Sequence, residues 1–319
     1  MDTKLICGAA LICGVLATAA ADRIDWTKAD GDFTLGPLYT NAPDCIRHVG
    51  VPKGIIHEFT MEGKESKFYP GLNGPYQRTV YVYVPSQYVA GTPAPFIVAQ
   101  DGRGETNRLP VVLDNLIHDH RLPVMIAVMI QSGGGDGKGS ERGLEYDTVS
   151  EWYALFVETE VLPRVERDYN VKFTADPEGR AAMGGSSGAA CAFTMAWFHP
   201  ELYRRVLSYS GTFVDQQSPN NAESPHGAWE YHEHIIPQSA AKPLRVWLQV
   251  GEKDIGYDRD EASLHNWVMA NQRMAAALKA KGYHYQYVYC LAAGHVDRRA
   301  VGQTLPDALL WLWQGYPAK

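Results

Sequence analysis

Residues 184–188 read Gly-Gly-Ser-Ser-Gly and match the pattern Gly-x-Ser-x-Gly around Ser186. A serine hydroxyl is a weak nucleophile until a neighbouring base removes its proton, and this pattern is typical of a sharp turn that presents such a serine. An ordinary Gly/Ser turn could carry the same residues. The context favours the nucleophile, because a short apolar run at 180–183 precedes the turn and a helical pattern begins at Ser187.

A serine nucleophile requires a base, and the base requires an acid that orients it. In this strand-turn-helix arrangement they follow the serine in the order Asp or Glu, then His. Asp254 comes soon after an apolar strand pattern and is the predicted acid, with Glu252 and Asp258 as alternatives. His295 lies between the last strand pattern and the last helical pattern, which selects it from eleven histidines. The sequence therefore predicts the triad Ser186, His295 and Asp254.

Attack on an acyl carbon creates an oxyanion that needs N–H donors. The backbone N–H of Ser187 is one expected donor, because the first N–H groups of a helix have no partner within it. The second donor should come from the loop after an early strand. Gly102 or Arg103 is expected to supply it, although an ordinary turn would place the same residues there.

The polar loop 139–147 offers candidate substrate contacts in Arg142 and Glu145. Arg142 could bind a substrate carboxylate or hydroxyl. It could equally pair with Glu145 and rigidify the loop, and we favour this pairing because loop charges usually pair or remain solvated.

A second loop, residues 225–234, combines three histidines with aromatic residues. Trp229 and His232 could form a substrate-binding wall, although a solvated loop is the simpler interpretation. Two of the histidines with Glu230 could also bind zinc, but their spacing is not a metal-ligand pattern, so no metal site is predicted.

The remaining pattern supplies the elements that would hold these residues. Strand patterns occur at residues 78–84, 95–100, 124–130, 180–183, 205–209, 244–250 and 285–290. Helical patterns occur at residues 109–120, 149–169, 187–198, 263–281 and 304–313. Strands that alternate with helices predict an α/β fold with a mostly parallel central sheet and helices on both faces.

Composition excludes several classes of protein. The 319 residues are 45% hydrophobic and 20% charged, which is typical of a globular chain. The net charge of −7 argues against nucleic acid as a partner, because phosphate binders usually carry a basic excess.

The first residues resemble a secretory signal peptide, with Lys4, an apolar stretch over 5–17 and small residues over 18–21. We expect cleavage near residue 20 or 21 and a periplasmic or extracellular protein; the stretch is short for a membrane anchor. Residues 1–21 are then the signal peptide, 22–75 an N-terminal lead-in segment and 76–319 the catalytic domain. Cleavage would leave three cysteines, Cys45, Cys191 and Cys290, and thus at least one free thiol.

Several motifs together resemble the esterase D/enterochelin esterase-like family, which overlaps the feruloyl and acetylxylan esterases of carbohydrate esterase family one. They lie at residues 142–146, 156–163, 184–188, 199–203, 208–211, 251–254 and 294–295. The resemblance covers roughly residues 76–315. It implies an α/β-hydrolase fold, no cofactor and ester hydrolysis. Members act on siderophore esters, sugar-linked acyl esters or S-formylglutathione, or transfer mycolyl groups.

We therefore expect a secreted serine esterase whose partner is a small-molecule or polysaccharide-linked ester, such as an acyl or feruloyl ester of a carbohydrate. A siderophore esterase or an acyltransferase on the same fold is the alternative. A catalytically silent binding protein is disfavoured, because all three triad positions carry competent residues. After signal cleavage no membrane partner is expected, and the sequence does not predict an oligomeric state.

Overall fold

The computed structural model describes residues 30–318, so the predicted signal peptide lies outside the described residues. Within them, the strands in chain order are β1 (Gly31–Leu35), β2 (Ile55–Glu62), β3 (Gln77–Val84), β4 (Pro93–Ala94), β5 (Phe96–Gln100), β6 (Ile126–Ile130), β7 (Lys172–Phe173), β8 (Arg180–Gly185), β9 (Arg205–Tyr209), β10 (Arg245–Gly251) and β11 (His284–Cys290). The α-helices are α1 (Leu109–His118), α2 (Glu141–Tyr146), α3 (Trp152–Phe156), α4 (Leu162–Tyr169), α5 (Ser187–Phe198), α6 (Ile236–Gln238), α7 (Trp267–Ala280) and α8 (Arg298–Leu312).

Nine strands form one sheet in the order β1-β11-β10-β9-β8-β5-β6-β3-β2. In this sheet order, all neighbouring strands between β1 at one edge and β6 are parallel. β3 runs antiparallel to β6, and β2 runs antiparallel to β3. Helices α5 and α7 pack on one face, and α1 and α8 on the other. All residues of β5, β6 and β9 are buried, as expected for strands covered on both faces. The predicted α/β fold is confirmed.

The lead-in segment supplies both edge strands of the sheet, which its irregular sequence did not predict. β1 pairs with β11 at one edge and β2 with β3 at the other. Side chains of α4 cover the outer edge of β2: Arg164 Nη1 donates to the carbonyl of Thr60 at 3.0 Å, and Tyr169 Oη to that of Glu58 at 3.2 Å. These bonds satisfy backbone groups that could otherwise pair with another chain.

The helix predicted over 149–169 is interrupted by a wider π-helical turn at Val157–Val161, between α3 and α4. Pro163 follows this turn, and proline has no N–H to donate and clashes with the carbonyl four residues earlier. A π turn relieves that conflict without ending the helix. The same combination recurs at Tyr231–Ile235, which precedes Pro237 in α6.

Two helix starts differ from the prediction, in each case because a polar side chain caps the helix. α8 begins at Arg298 rather than at 304. The Asp297 carboxylate caps this start by accepting the N–H of Arg299 at 2.9 Å. α7 begins at Trp267 rather than at 263, after Asn266 as the cap.

Cys45, Cys191 and Cys290 are all free thiols. No helix between residues 30 and 318 combines the length and the apolar character that crossing a membrane requires.

Candidate active site

Ser186 occupies the sharp turn between β8 and α5, at the carboxyl end of the sheet. Its φ of +58° and ψ of −128° are rarely adopted by a residue with a side chain. A Cβ at Gly184 would collide with the backbone of Gly188, and one at Gly188 would lie 2.8 Å from Cβ of Gln100. Both glycines are therefore required for the close approach of helix, strand and neighbouring loop.

Asp254 and His295 are in direct contact. Nδ1 of His295 lies 2.6 Å from Oδ1 of Asp254, which is almost fully buried. Oδ2 of Asp254 accepts the hydroxyl of Ser210 at 2.6 Å, and Oδ1 also accepts the N–H of Ile255 at 2.8 Å. These donors compensate the carboxylate for its loss of water and fix its orientation toward the imidazole.

Thr212 and Trp267 connect the serine to the histidine. Oγ of Ser186 lies 3.3 Å from Oγ1 of Thr212, and the Thr212 N–H donates to the Ser186 carbonyl at 3.1 Å. The indole N–H of Trp267 donates to the same Thr212 hydroxyl at 3.2 Å, and its ring stands edge-on to His295 at 6.1 Å. Among the described residues, the hydrogen-bond partner of the Ser186 hydroxyl is thus Thr212 and not His295.

The loop that carries His295 packs against the serine turn. Val296 donates its N–H to Oγ of Ser210 at 2.9 Å, and its side chain is so close to Gly185 that a Cβ there would lie 3.1 Å away. Glu252, the alternative acid, accepts the N–H of Ala292 at 2.7 Å and so stabilises the histidine loop instead.

Gly102 and Arg103 are the two predicted oxyanion donors in the loop after β5, here called the early loop, and they differ in whether the backbone N–H is already bonded. The N–H of Arg103 donates to Oε1 of Gln131 at 3.2 Å, which leaves Gly102 as the candidate in this loop. Ser187 is the first residue of α5, where an N–H has no acceptor within the helix. A Cβ at Gly188 would lie 3.4 Å from Oδ2 of Asp101, so the early loop adjoins the serine turn.

The predicted pairing of Arg142 with Glu145 is wrong. Arg142 forms two bonds to the carboxylate of Asp101, at 3.0 and 2.8 Å, and one to Asp136 at 2.8 Å. Glu145 is buried and pairs instead with Arg78 at 2.7 Å. Burial drives this choice, because a carboxylate removed from water requires an equally buried cation. Glu145 therefore has no surface for a substrate.

The proposed substrate wall of Trp229 and His232 is also wrong, because both side chains are buried in the core. Their rings stack edge to face at 4.5 Å, and Nε2 of His232 lies 3.2 Å from the carbonyl of Phe213. Burial lowers the pKa of His232 to about 3, so this histidine is a neutral packing residue.

Asp147 is a buried carboxyl group beside the turn that sequence reasoning missed. Its Oδ2 accepts Nε2 of Gln216 at 3.0 Å, and the same nitrogen donates to Oγ of Ser187 at 3.2 Å. Burial raises the pKa of Asp147 to about 6, although the bonds from Gln216 and Ser187 act in the opposite direction. Ser210 was missed as well, although its place just after β9, beside the strand that carries Ser186, is a usable signal.

Within residues 30–318, one group of side chains is close enough to hold a metal: Asp44, His48 and Asp119. Asp44 already pairs with Arg121 at 2.9 Å and with His48 at 3.7 Å, and the group lies by the C-terminal end of α1. Ion pairing accounts for it, and it contributes nothing to the candidate site.

Residues 75–312 match the protein family described as putative esterase. No curated protein sequence matches the chain. Among solved structures, the enterobactin esterase FES from Shigella flexneri is 23% identical with a TM-score of 0.61, over 87% of this chain and 63% of that one. The ferulic acid esterase AmCE1/Fae1A from Anaeromyces mucronatus is 14% identical with a TM-score of 0.60, over 87% and 97%. The chain thus spans less than two thirds of the FES length, and these likenesses show the shared α/β-hydrolase fold.

Proposed function

This chain belongs to the putative esterase family, and from that premise we propose that it is a secreted serine esterase that hydrolyses carboxylic esters through an acyl-enzyme. The observation that carries the proposal is the contact of 2.6 Å between His295 and a fully bonded Asp254, at the same sheet edge as Ser186. Ion pairs of this kind also occur as structural contacts. Here the histidine loop packs on the glycine turn that forces Ser186 into its strained conformation, and a purely structural pair would not need that arrangement.

The first step requires Ser186 to leave Thr212. A change of side-chain rotamer would have to bring Oγ within reach of Nε2 of His295, and catalytic hydrogen bonds commonly tighten only when substrate binds. Asp254 accepts a hydrogen bond from the N–H at Nδ1 of His295, which holds the proton on Nδ1 and leaves Nε2 as the basic nitrogen. His295 then takes the serine proton while Oγ attacks the ester carbonyl.

The negative oxygen of the tetrahedral intermediate would bind the N–H groups of Ser187 and Gly102, each of which contributes roughly 3 kcal/mol in comparable sites. His295 returns its proton to the leaving alcohol, and the acyl group remains on Ser186. Water, activated by the same imidazole, then attacks the acyl-enzyme and releases the acid.

We propose an acyl or feruloyl ester of a carbohydrate as substrate. Asp101 and Asp136 already neutralise Arg142, one of the cations that would suit an anionic siderophore. The fold matches nearly the full length of the ferulic acid esterase, whereas the enterobactin esterase extends well beyond it. The predicted signal peptide also fits a substrate outside the cytoplasm.

A substrate panel tests the proposal: p-nitrophenyl acetate, methyl ferulate, acetylated xylan and enterobactin, each with the wild-type protein and Ser186→Ala. We expect hydrolysis of the small esters and of at least one of methyl ferulate and acetylated xylan, with none by the variant. Absence of hydrolysis by a folded wild-type protein, or equal hydrolysis by the variant, would contradict the serine mechanism. Preference for enterobactin would overturn the substrate class.

Export is tested separately by sequencing the N-terminus of the protein that its host secretes. We expect the mature chain to begin at residue 21 or 22.

A further inference from the structure

A polar groove of about 640 Å³ opens between the β2–β3 hairpin and the loop after β5, the loop that also carries Asp101 and Gly102. In the antiparallel register, Glu58 faces Tyr81 and Thr60 faces Thr79, so these side chains share one face of the hairpin. Arg103 and Asn107 line the other side. The volume lies within the roughly 300–1,000 Å³ usual for small-molecule sites.

The chemistry of the lining suits a neutral ligand rich in hydroxyl groups. One carboxylate, Glu58, and one guanidinium, Arg103, are its charged groups, so they balance and favour neither a polyanion nor a polycation. The threonine hydroxyls and the amide of Asn107 both donate and accept hydrogen bonds, as sugar hydroxyls do. Tyr81 adds an aromatic ring to this polar lining.

The groove is continuous with the loop that holds the candidate oxyanion donor. Arg103 directly follows Gly102, and its N–H donates to Gln131, whose own N–H donates to the carbonyl of Thr79 at 2.9 Å. Two peptide units separate Arg103 from Asp101, which adjoins the serine turn, so the loop spans at most about 8 Å between them. A chain whose ester lay at Ser186 could therefore continue into the groove.

We propose that this groove binds the neutral oligosaccharide chain that carries the ester, as the subsite for the alcohol part of the substrate. The inference rests on the proposed function for its connection to Ser186, but binding in the groove does not require catalysis.

The test is isothermal titration calorimetry of the full chain carrying Ser186→Ala, with unesterified xylohexaose, mannohexaose and cellohexaose as probes. We expect at least one of them to bind at millimolar concentrations or below. Glu58→Ala combined with Asn107→Ala removes two exposed hydrogen-bonding groups and should raise Kd about tenfold. Glu65→Ala, an exposed glutamate just after β2 and outside the groove, is the matched control and should leave Kd unchanged.

Absence of binding by all three probes would overturn the groove proposal, and so would binding that the double variant leaves unchanged. Circular dichroism of each variant verifies the fold. Hydrolysis of p-nitrophenyl acetate by the wild type, measured in parallel, separates the two proposals. If hydrolysis is found without oligosaccharide binding, only the groove assignment fails; if no ester is hydrolysed, the proposed function fails whatever the groove binds.

Discussion

The hydroxyl of Thr212 lies 3.3 Å from the hydroxyl of Ser186 and is its hydrogen-bond partner. Thr212 also accepts the indole N–H of Trp267, and either hydroxyl can donate in the bond between Ser186 and Thr212. In the proposed mechanism this bond must break before His295 can act as base. Thr212 would then stabilise the resting position of the nucleophile.

Replacement of Thr212 by Val is therefore expected to affect stability more than activity. The variant leaves the buried indole N–H of Trp267 without an acceptor, which should lower the free energy of unfolding by about 1–3 kcal/mol. kcat/KM for p-nitrophenyl acetate should stay within a few-fold of the wild type. Urea denaturation and initial rates measure the two effects, and Thr212→Ser, which keeps the hydroxyl, is the control. A hundredfold loss of activity in a folded Thr212→Val protein would instead place Thr212 in the catalytic machinery.

Two substitutions of Ser186 should abolish activity equally but differ in stability. Loss of the nucleophile is expected to lower kcat by at least about 10⁴-fold in Ser186→Ala and Ser186→Gly. Glycine adopts φ = +58° without steric cost. The free energy of unfolding of Ser186→Gly should therefore be about 1 kcal/mol higher than that of Ser186→Ala. Denaturation curves recorded side by side measure the difference. Equal stability would show that the turn is not strained.

Asp254→Asn should lower kcat for p-nitrophenyl acetate by about 10⁴-fold, because an amide no longer fixes the tautomer of His295. Ser210→Ala should have a much smaller effect, about tenfold, because it removes the hydroxyl that donates to Asp254 and accepts the N–H of Val296 but leaves the carboxylate in place. kcat for p-nitrophenyl acetate is measured for both variants, and the test is which of them loses more activity. If Ser210→Ala is as damaging as Asp254→Asn, the orientation of the carboxylate matters more than its charge.

Asp147 predicts a dependence of stability on pH. Its pKa is raised from 3.8 to about 6, mainly by burial, so the folded chain holds the proton more tightly than the unfolded chain. Its contribution to stability is therefore fully present below pH 4 and is lost as the pH rises to about 6. Asp147→Asn should be more stable than the wild type by about 3 kcal/mol at pH 8 and about equally stable at pH 4.

Urea denaturation at the two pH values checks this expectation, with Asp258→Asn as an exposed control. A constant difference between Asp147→Asn and the wild type across this range would contradict it.

Local pattern was sufficient to predict the fold class, the family and the elements around the serine turn. α5 begins and ends where the helical pattern does, because its limits are set by the glycine turn and by His199 before Pro200. Asp254 and His295, chosen by chain order and by their place after strand ends, lie in contact. Strand ends in a parallel sheet meet at one edge, which is why this reasoning succeeds.

Contacts between distant segments could not be predicted in the same way. Arg142 and Glu145 are three residues apart, a spacing that brings side chains together on a helix. Arg142 nevertheless pairs with Asp101 from another loop, and the buried Glu145 pairs with Arg78. Trp229 and His232 share the composition of a surface loop, but a 3₁₀ turn at Gly227–Trp229 and the π turn at Tyr231–Ile235 place them in the core. The sequence carries no local signal for β1, whose partner β11 is about 250 residues away along the chain.

The region that matches the family, residues 75–312, includes neither of the two edge strands of its own sheet. β1 and β2 lie before it, one on each side, so a chain trimmed to that region would expose the outer backbone of β11 and β3 at once. Such a fragment could polymerise through its open sides or lose the support of the strand that leads into the His295 loop. The N-terminal segment is thus a part of the folding unit, and recombinant boundaries for this protein should be set from the pairing of its strands rather than from the limits of sequence similarity.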